Sequence, residues 1–298
     1  MSVEGLVNVP VGIEDIARVL ARHPDFRVLR RMQPMDREEA GGFRWGVLTG
    51  VCLDVETTGL DHGEDRIIEL AMQRFRADEE GRIVETGRPR AWLEEPGVKI
   101  SAEITRVTGL KAEDLKGKMI CDAEASTILS SVDVVIAHNS RFDRPFVEAR
   151  LPTCVGRPWA CSLDGVDWAA AGFEGRSLSQ LLAQMGWFYE AHRATADVTA
   201  LLHLLDHRLP SGETVLKQLI ERAKRDSWIV EAAGAPFEAK DALKRRGYCW
   251  NSERRVWWIE VDDQLLQAEA EWATIHVYHG TQNPQTTRID WTKRYAAV

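Results

Sequence analysis

Apolar residues at 13, 16, 19 and 20, in Ile13-Glu-Asp-Ile-Ala-Arg-Val-Leu, recur at helical spacing and predict a short amphipathic helix. Residues 25–35 suit a strand or a turn, and Gly41-Gly42 breaks the chain before the next element. From residue 46 the pattern changes. Residues 47–56 form an apolar run that ends in acids, which reads as a buried strand, and Thr57-Thr-Gly supplies the turn after it. Residues 66–75 and 81–85 predict further strands joined through a hairpin turn at 77–80. Residues 101–108 and 121–131 predict helices, the first capped by Ser101. A short core strand at 133–137 precedes two helices with clear apolar faces, at 177–185 and 197–205. Strands first, then strands alternating with helices, imply an α/β fold with a mixed sheet flanked by helices.

Pro210-Ser-Gly marks a boundary, although a helix at 213–225 suits either side of it. Beyond lies a second pattern: strand 228–231, helix 238–246, strand 248–251, turn 252–255, strand 256–261, helix 263–272, strand 275–278. That βαββαβ order predicts a small, separate α+β module. The expected organisation is therefore an amino-terminal helical extension at 1–45 with no assigned role, a main domain at 46–210, an accessory module at 211–281, and a polar, frayed tail at 282–298.

Composition narrows the classes. With 298 residues, 44% hydrophobic and 28% charged, the chain is ordinary globular protein, long enough for two domains, and wholesale disorder is excluded. No apolar run approaches the roughly 20 residues of a membrane helix, and no secretory signal opens the sequence. Five cysteines form no C-x-x-C pair, so they read as reduced thiols of a cytoplasmic protein. The net charge of −8 argues against a broad cationic grip on nucleic acid. Residues 213–298 hold 13 basic and 13 acidic side chains, so the whole excess of acid lies before residue 213. An acidic pocket for a metal is compatible with that distribution.

The acids have a pattern. In Asp54-Val-Glu56-Thr-Thr-Gly the two carboxylates, two residues apart on a strand, share one face. Alone, such a pair is usually a solvated edge. Two later segments change this: His138-Asn-Ser-Arg-Phe-Asp143 follows the strand at 133–137, and His192-Arg-Ala-Thr-Ala-Asp197 opens the helix at 197. Four carboxylates from three separate segments repel one another and lose hydration when gathered. Divalent cations remove that cost. Mg²⁺ or Mn²⁺ takes oxygen ligands, and paired ions roughly 3.5–4 Å apart clamp an in-line displacement at phosphorus. A histidine suits the removal of a proton from water at neutral pH. Spacing alone does not decide between His138 and His192. His138 directly follows a buried strand, where a packed histidine is expected; His192 has the small neighbours Ala194 and Ala196, which favours it.

Together these residues resemble the three motifs of the DEDDh exonucleases, the DnaQ-like group that includes the proofreading epsilon subunit of bacterial DNA polymerase III. The resemblance covers about residues 47–207 and extends to Arg66-Ile-Ile-Glu-Leu, Ile104-Thr-Arg-Val-Thr-Gly-Leu and Ser177-Leu-Ser-Gln-Leu-Leu. It implies a ribonuclease H-like fold and removal of nucleoside 5′-monophosphates from 3′ ends with two Mg²⁺ or Mn²⁺ ions. It implies Asp54, Glu56, Asp143 and Asp197 as metal ligands, Asp54 bridging, and His192 as general base. Arg193 stands where the related tyrosine subgroup carries its base. The resemblance further implies that Thr57 approaches the 3′-hydroxyl through its backbone, that Leu60 wedges beside the last base, and that Asn139 and Phe142 line the pocket. Thr108 departs from the histidine many relatives carry before the glycine.

In the carboxy-terminal module, Lys244, Arg245, Arg246, Arg254 and Arg255 interleave with Tyr248, Trp250, Trp257 and Trp258. A single-strand platform uses such residues, yet alternate aromatics also form the core of a small sheet, and alternation sends Trp257 and Trp258 to opposite faces. The expected partners are single-stranded DNA 3′ ends, ahead of RNA, and a DNA polymerase subunit. Two alternatives stand beside this: an RNA 3′-end trimming enzyme, and a polymerase-associated binding subunit. Oligomeric state has no signature in the sequence.

Overall fold

The computed structural model describes residues 12–37, 48–191 and 193–296. The Gly41-Gly42 break, the boundary at 45/46 and His192 lie outside the described residues. Helix α1 (Ile13–Ala21) and the two-residue strand β1 (Arg30–Arg31) precede the main sheet, which opens with the long strands β2 (Leu48–Thr57) and β3 (Ile67–Ala77). Short strands β4 (Ile83–Thr86) and β5 (Arg90–Leu93) follow, then helices α2 (Ala102–Thr108), α3 (Ala112–Leu115) and α4 (Asp122–Ser130). Strand β6 (Val134–Ala137), helix α5 (Ser140–Arg150) and strand β7 (Trp159–Cys161) come next. Helix α6 (Leu178–Gln184), strand β8 (Trp187–Phe188) and helices α7 (Ala194–Asp206) and α8 (Val215–Lys224) complete this part.

The sheet order is β4-β3-β2-β6-β7, with β5 also on β3. β2 runs antiparallel to β3 and parallel to β6, and β6 parallel to β7, so the sheet is mixed. Alternation along β2 divides two cores. Val51, Leu53 and Val55 pack with Leu129 of α4 and Phe146 and Val147 of α5. Cys52 belongs to the opposite face, where leucines 181, 182, 201, 205, 216 and 219 of α6, α7 and α8 cover the sheet. The result is the expected mixed sheet with helices on both faces.

On the α7 side β2 has no room for a side chain at Gly50: a Cβ there would lie 2.3 Å from Cζ of the buried Phe75 ring. Gly50→Ala should therefore overpack the core and cost about 1–3 kcal/mol. In urea unfolding, a lowered midpoint at unchanged slope is the expected result, and an unchanged midpoint would contradict the packing described.

The carboxy-terminal module contains β9 (Ser227–Ala232), α9 (Lys240–Arg246), β10 (Cys249–Asn251), β11 (Val256–Asp262), α10 (Leu266–His276) and β12 (Gln285–Ile289). Its antiparallel sheet has the order β10-β11-β9-β12. Trp257 and Ile259 face the helices, in a core with Leu243, Tyr248, Ala273 and Val277. Trp258 lies on the other face, 5.1 Å below the Arg141 guanidinium of α5.

Three expectations need correction. The strand expected at 275–278 is the end of α10 and the turn after it: Ala273 and Val277 are buried four residues apart, a helical period, while Ile275 is exposed. The fourth strand comes instead from the segment expected to fray, as β12 on β9. Residues after β12 are also held, because Trp159 donates its backbone N–H to the Trp291 carbonyl at 2.9 Å. Arg294, 8% exposed, donates to the carbonyls of Ala223 and Arg225 and to Glu260. Finally, α8 packs in the main core rather than in the module, which moves the division past residue 224.

Candidate metal centre

β6 ends at Ala137, so β2 outruns its parallel neighbour: the pairing covers only Gly50–Cys52. The N–H of Val55, beyond that pairing, needs another acceptor. The chain turns at Asn139, whose φ of 137° starts α5, and the first turn of α5 brings Asp143 to Val55. Asp143 Oδ1 accepts the Val55 N–H at 3.2 Å, and its side chain is 3% exposed. Asp54 and Glu56 share the opposite face of β2 with Cys52, toward α7. There Asp197, in the first turn of α7, completes a trio with Asp54 and Glu56: one oxygen from each lies within 4.8 Å of the others.

Asp197 is oriented by two donors. Tyr189 O–H donates to Oδ1 at 2.8 Å, and the Arg193 N–H donates to Oδ2 at 3.2 Å. Burial first, and then the charge of Asp197, hold the Tyr189 phenol above its ordinary range, so it acts as a donor and not as a base. A fifth acid stands close by. Glu69 of β3 lies directly across from Glu56 and is 2% exposed. It accepts the Ala194 N–H at 3.4 Å, and Arg193 Nε stands 3.7 Å from its carboxylate, which ties the start of α7 to β3.

Crowding moves the acids upward. Burial, then Asp143, Asp197, Glu56 and Glu69, raise Asp54 well above the usual carboxylate range. Glu56 rises to about 7, through burial, Asp197 and Glu69, against the opposing charge of Arg193. Asp143 rises to about 8, chiefly through burial, although the Val55 N–H favours its charged form. An all-oxygen donor set of this charge fits a hard divalent cation. Carboxyls whose folded pKa exceeds the unfolded value of about 4 stabilise the fold fully below that pH, and this is lost as pH rises through about 7–8. The metal-free melting temperature should thus fall from about pH 5 to about pH 8.5, and added Mg²⁺ should raise it far more at the upper end. A Mg²⁺ shift equal at both ends would refute the crowding.

The other expected site residues are placed as follows. Thr57 is buried and its hydroxyl donates to the Gly59 carbonyl at 2.5 Å, closing the turn after β2. Leu60, on that turn, is 86% exposed. Asn139 is exposed at the start of α5, and Phe142 is half-buried against Phe146, ring centres 5.0 Å apart. His138 is committed elsewhere. Its Nε2–H donates to the Arg176 carbonyl at 2.9 Å, Nδ1 lies 2.8 Å from Ser162 Oγ, and burial lowers its pKa to about 4.

Sequence reasoning gave no role to Glu69 or Tyr189. Glu69 had a signal: one acid inside the apolar run Ile67-Ile-Glu-Leu-Ala-Met, where an unpaired charge is rarely buried. Tyr189 had none, since it reaches Asp197 from a loop.

Residues 51–205, just over half of the chain, match the family described as Exonuclease. The chain is similar to the DNA polymerase III PolC-type of Thermotoga maritima, 28% identical over 156 residues that cover 52% of this chain and 10% of that protein. It is 30% identical to the DNA polymerase III subunit epsilon of Treponema pallidum over 196 residues, 58% of this chain and 88% of that one. Among solved structures it resembles E. coli exonuclease I in complex with a dA16 oligonucleotide, at 18% identity and a TM-score of 0.47, covering 83% of this chain and 64% of the other. The chain spans about a tenth of the length of the PolC-type relatives it matches. Asp54, Glu56, Asp143 and Asp197 all fall inside the matched segment. With that match and those four acids, the chain belongs to the exonuclease family, in its DEDDh, DnaQ-like branch.

Proposed function

We propose that this chain is a metal-dependent 3′→5′ exonuclease that removes nucleoside 5′-monophosphates from the 3′ ends of single-stranded DNA, in proofreading or repair. The observation that carries this reading is the convergence of Asp54, Glu56 and Asp197 within 4.8 Å, with the buried Asp143 of α5 bonded to Val55 between those two acids of β2. Asp54, Glu56, Asp143 and Asp197 would hold two Mg²⁺ or Mn²⁺ ions. When bound, such ions neutralise charge on the phosphate and make water more acidic.

The chain's own groups do the rest. His192 takes the proton of the attacking water as its oxygen bonds to phosphorus and the bond to the neighbouring 3′-oxygen breaks. That oxygen leaves as the new 3′-hydroxyl of the shortened strand, protonated from solvent. Tyr189 and Arg193 fix the carboxylate of Asp197 through one hydrogen bond to each oxygen. The exposed Leu60 is available to wedge beside the terminal base, with the Thr57 backbone at the 3′-hydroxyl and Asn139 and Phe142 along the pocket. Association with a DNA polymerase subunit belongs to the same reading, supported by the kinship to polymerase III chains. So does a cytoplasmic place, supported by five free thiols.

The test is stepwise shortening of matched single-stranded DNA and RNA oligomers on a gel, with Mg²⁺, Mn²⁺ or EDTA. Metal-dependent shortening of DNA is expected. A preference for RNA would move the protein to RNA trimming, and shortening of neither would leave a binding subunit.

A further inference from the structure

Asp143 sits on a helical turn that lacks one of its backbone bonds. Pro145 lies inside α5 and has no N–H, so the bond that would tie the second turn back to the Arg141 carbonyl is missing. The residue before the helix, Asn139, has φ 137°, a conformation that only outside support maintains in a residue with a side chain. Within the main domain, Ser140 Oγ donates to the Ala160 carbonyl at 2.7 Å, and Val55 N–H donates to Asp143 itself. Phe146 and Val147 of the same helix pack in the main core, and further anchors come from much later in the chain.

Arg144, the residue after Asp143, is 1% exposed. Its Nε donates to Glu148 at 2.9 Å, but the two ends of its guanidinium cross to the carboxy-terminal segment: to the Arg294 carbonyl at 2.7 Å and the Thr292 carbonyl at 2.6 Å. Those carbonyls are presented by a turn built on Asp290, which accepts the Thr292 N–H at 2.8 Å and the Thr292 hydroxyl at 2.5 Å. The same segment holds Arg141, whose guanidinium lies 5.6 Å from the Tyr295 ring centre. Both arginines flanking Asp143 are therefore held by the module.

We propose that Arg144 is a positioning residue of the metal centre: through it, the turn at 290–294 of the carboxy-terminal module sets the place of Asp143 and with it the affinity for divalent cations. The inference rests on Asp143 being a metal ligand in the proposed function. Groups that hydrogen-bond directly to a metal ligand typically change metal affinity about 10–100-fold when lost; Arg144 bonds to Glu148, Thr292 and Arg294 and acts on Asp143 through the helix backbone, so a smaller effect is expected.

The test is Mn²⁺ binding to the full chain by titration calorimetry, beside gel assays of DNA shortening. Arg144→Met should weaken Mn²⁺ binding about threefold or more, below the effect of losing a direct partner of a ligand, Arg144→Lys should recover part of it, and KM for the oligonucleotide should stay within about twofold. Asp290→Ala, a partly exposed change that keeps Arg144, should weaken Mn²⁺ binding in the same direction, and the double variant should lose no more than Arg144→Met alone. If Arg144→Met fails to fold, Asp290→Ala and Arg144→Lys carry the test. Mn²⁺ affinity equal to wild type in the folded variants would overturn the inference. A wild-type chain that binds no Mn²⁺ at all would instead overturn the function on which it rests.

Discussion

Asp54→Asn is expected to abolish shortening of DNA 3′ ends, with kcat lower by about 10³-fold or more, while the metal-free protein becomes harder to melt at about pH 8. The two effects have one cause. Asp54 faces Asp143, Asp197, Glu56 and Glu69, and each of the four raises its pKa on top of burial. The amide keeps the shape of the side chain and removes one charge from that crowd, so the folded chain is relieved of repulsion. The same charge is what a divalent cation needs. Losing about 4 kcal/mol of its stabilisation of the transition state corresponds to about 10³-fold in rate. Rates on a single-stranded oligomer with Mg²⁺, taken with thermal melting in EDTA, read both effects. Activity within tenfold of wild type would remove Asp54 from the metal centre, and a large drop in melting temperature would remove the crowding.

His192→Ala should lower kcat by about 10²–10⁴-fold, the usual share of a general base, with Mn²⁺ affinity retained. The acid limb of the pH–rate profile should change as well, because a histidine titrates near 6.5 and its loss leaves a weaker acceptor for the proton. His138→Ala is the control. Both of its ring nitrogens are engaged, by Arg176 and Ser162, so its removal should lower stability more than kcat. A wild-type rate in His192→Ala with loss of rate in His138→Ala would exchange the two roles.

The candidate acids were legible in part because the strand period fixes faces. Asp54 and Glu56 had to point one way, and the resemblance to the DEDDh motifs added Asp143 and Asp197. The resemblance to the three DEDDh motifs singled out the four together, and the structure brings three of them within 4.8 Å. The module was harder to read. Residues 275–278 alternate in polarity like a strand, yet the burial of Ala273 and Val277 follows a helix. Strand β12, Gln285-Thr-Thr-Arg-Ile, buries only its last residue and is held by backbone pairing to β9, which leaves no trace in hydropathy. Arg144 and Arg294 likewise look like surface cations. Beside Glu148 and Glu260, their distant acceptors are backbone carbonyls, and no residue type announces a carbonyl.

The reach of Arg144 also has a meaning in time. Its carbonyl at Arg294 is supplied 150 residues later in the chain. At a synthesis rate of about 5–20 residues per second, the segment that receives the guanidinium emerges roughly 8–30 s after the helix that carries it. During that interval the sheet, Asp54 and Glu56 already exist, while Arg144 has neither distant acceptor and stays in water. On the proposed function, the metal centre of a growing chain is then unfinished, and an interrupted product released before residue 290 carries the acids without the distant acceptors of Arg144. On that reading, a metal centre completed last leaves aborted chains with a weaker hold on divalent cations.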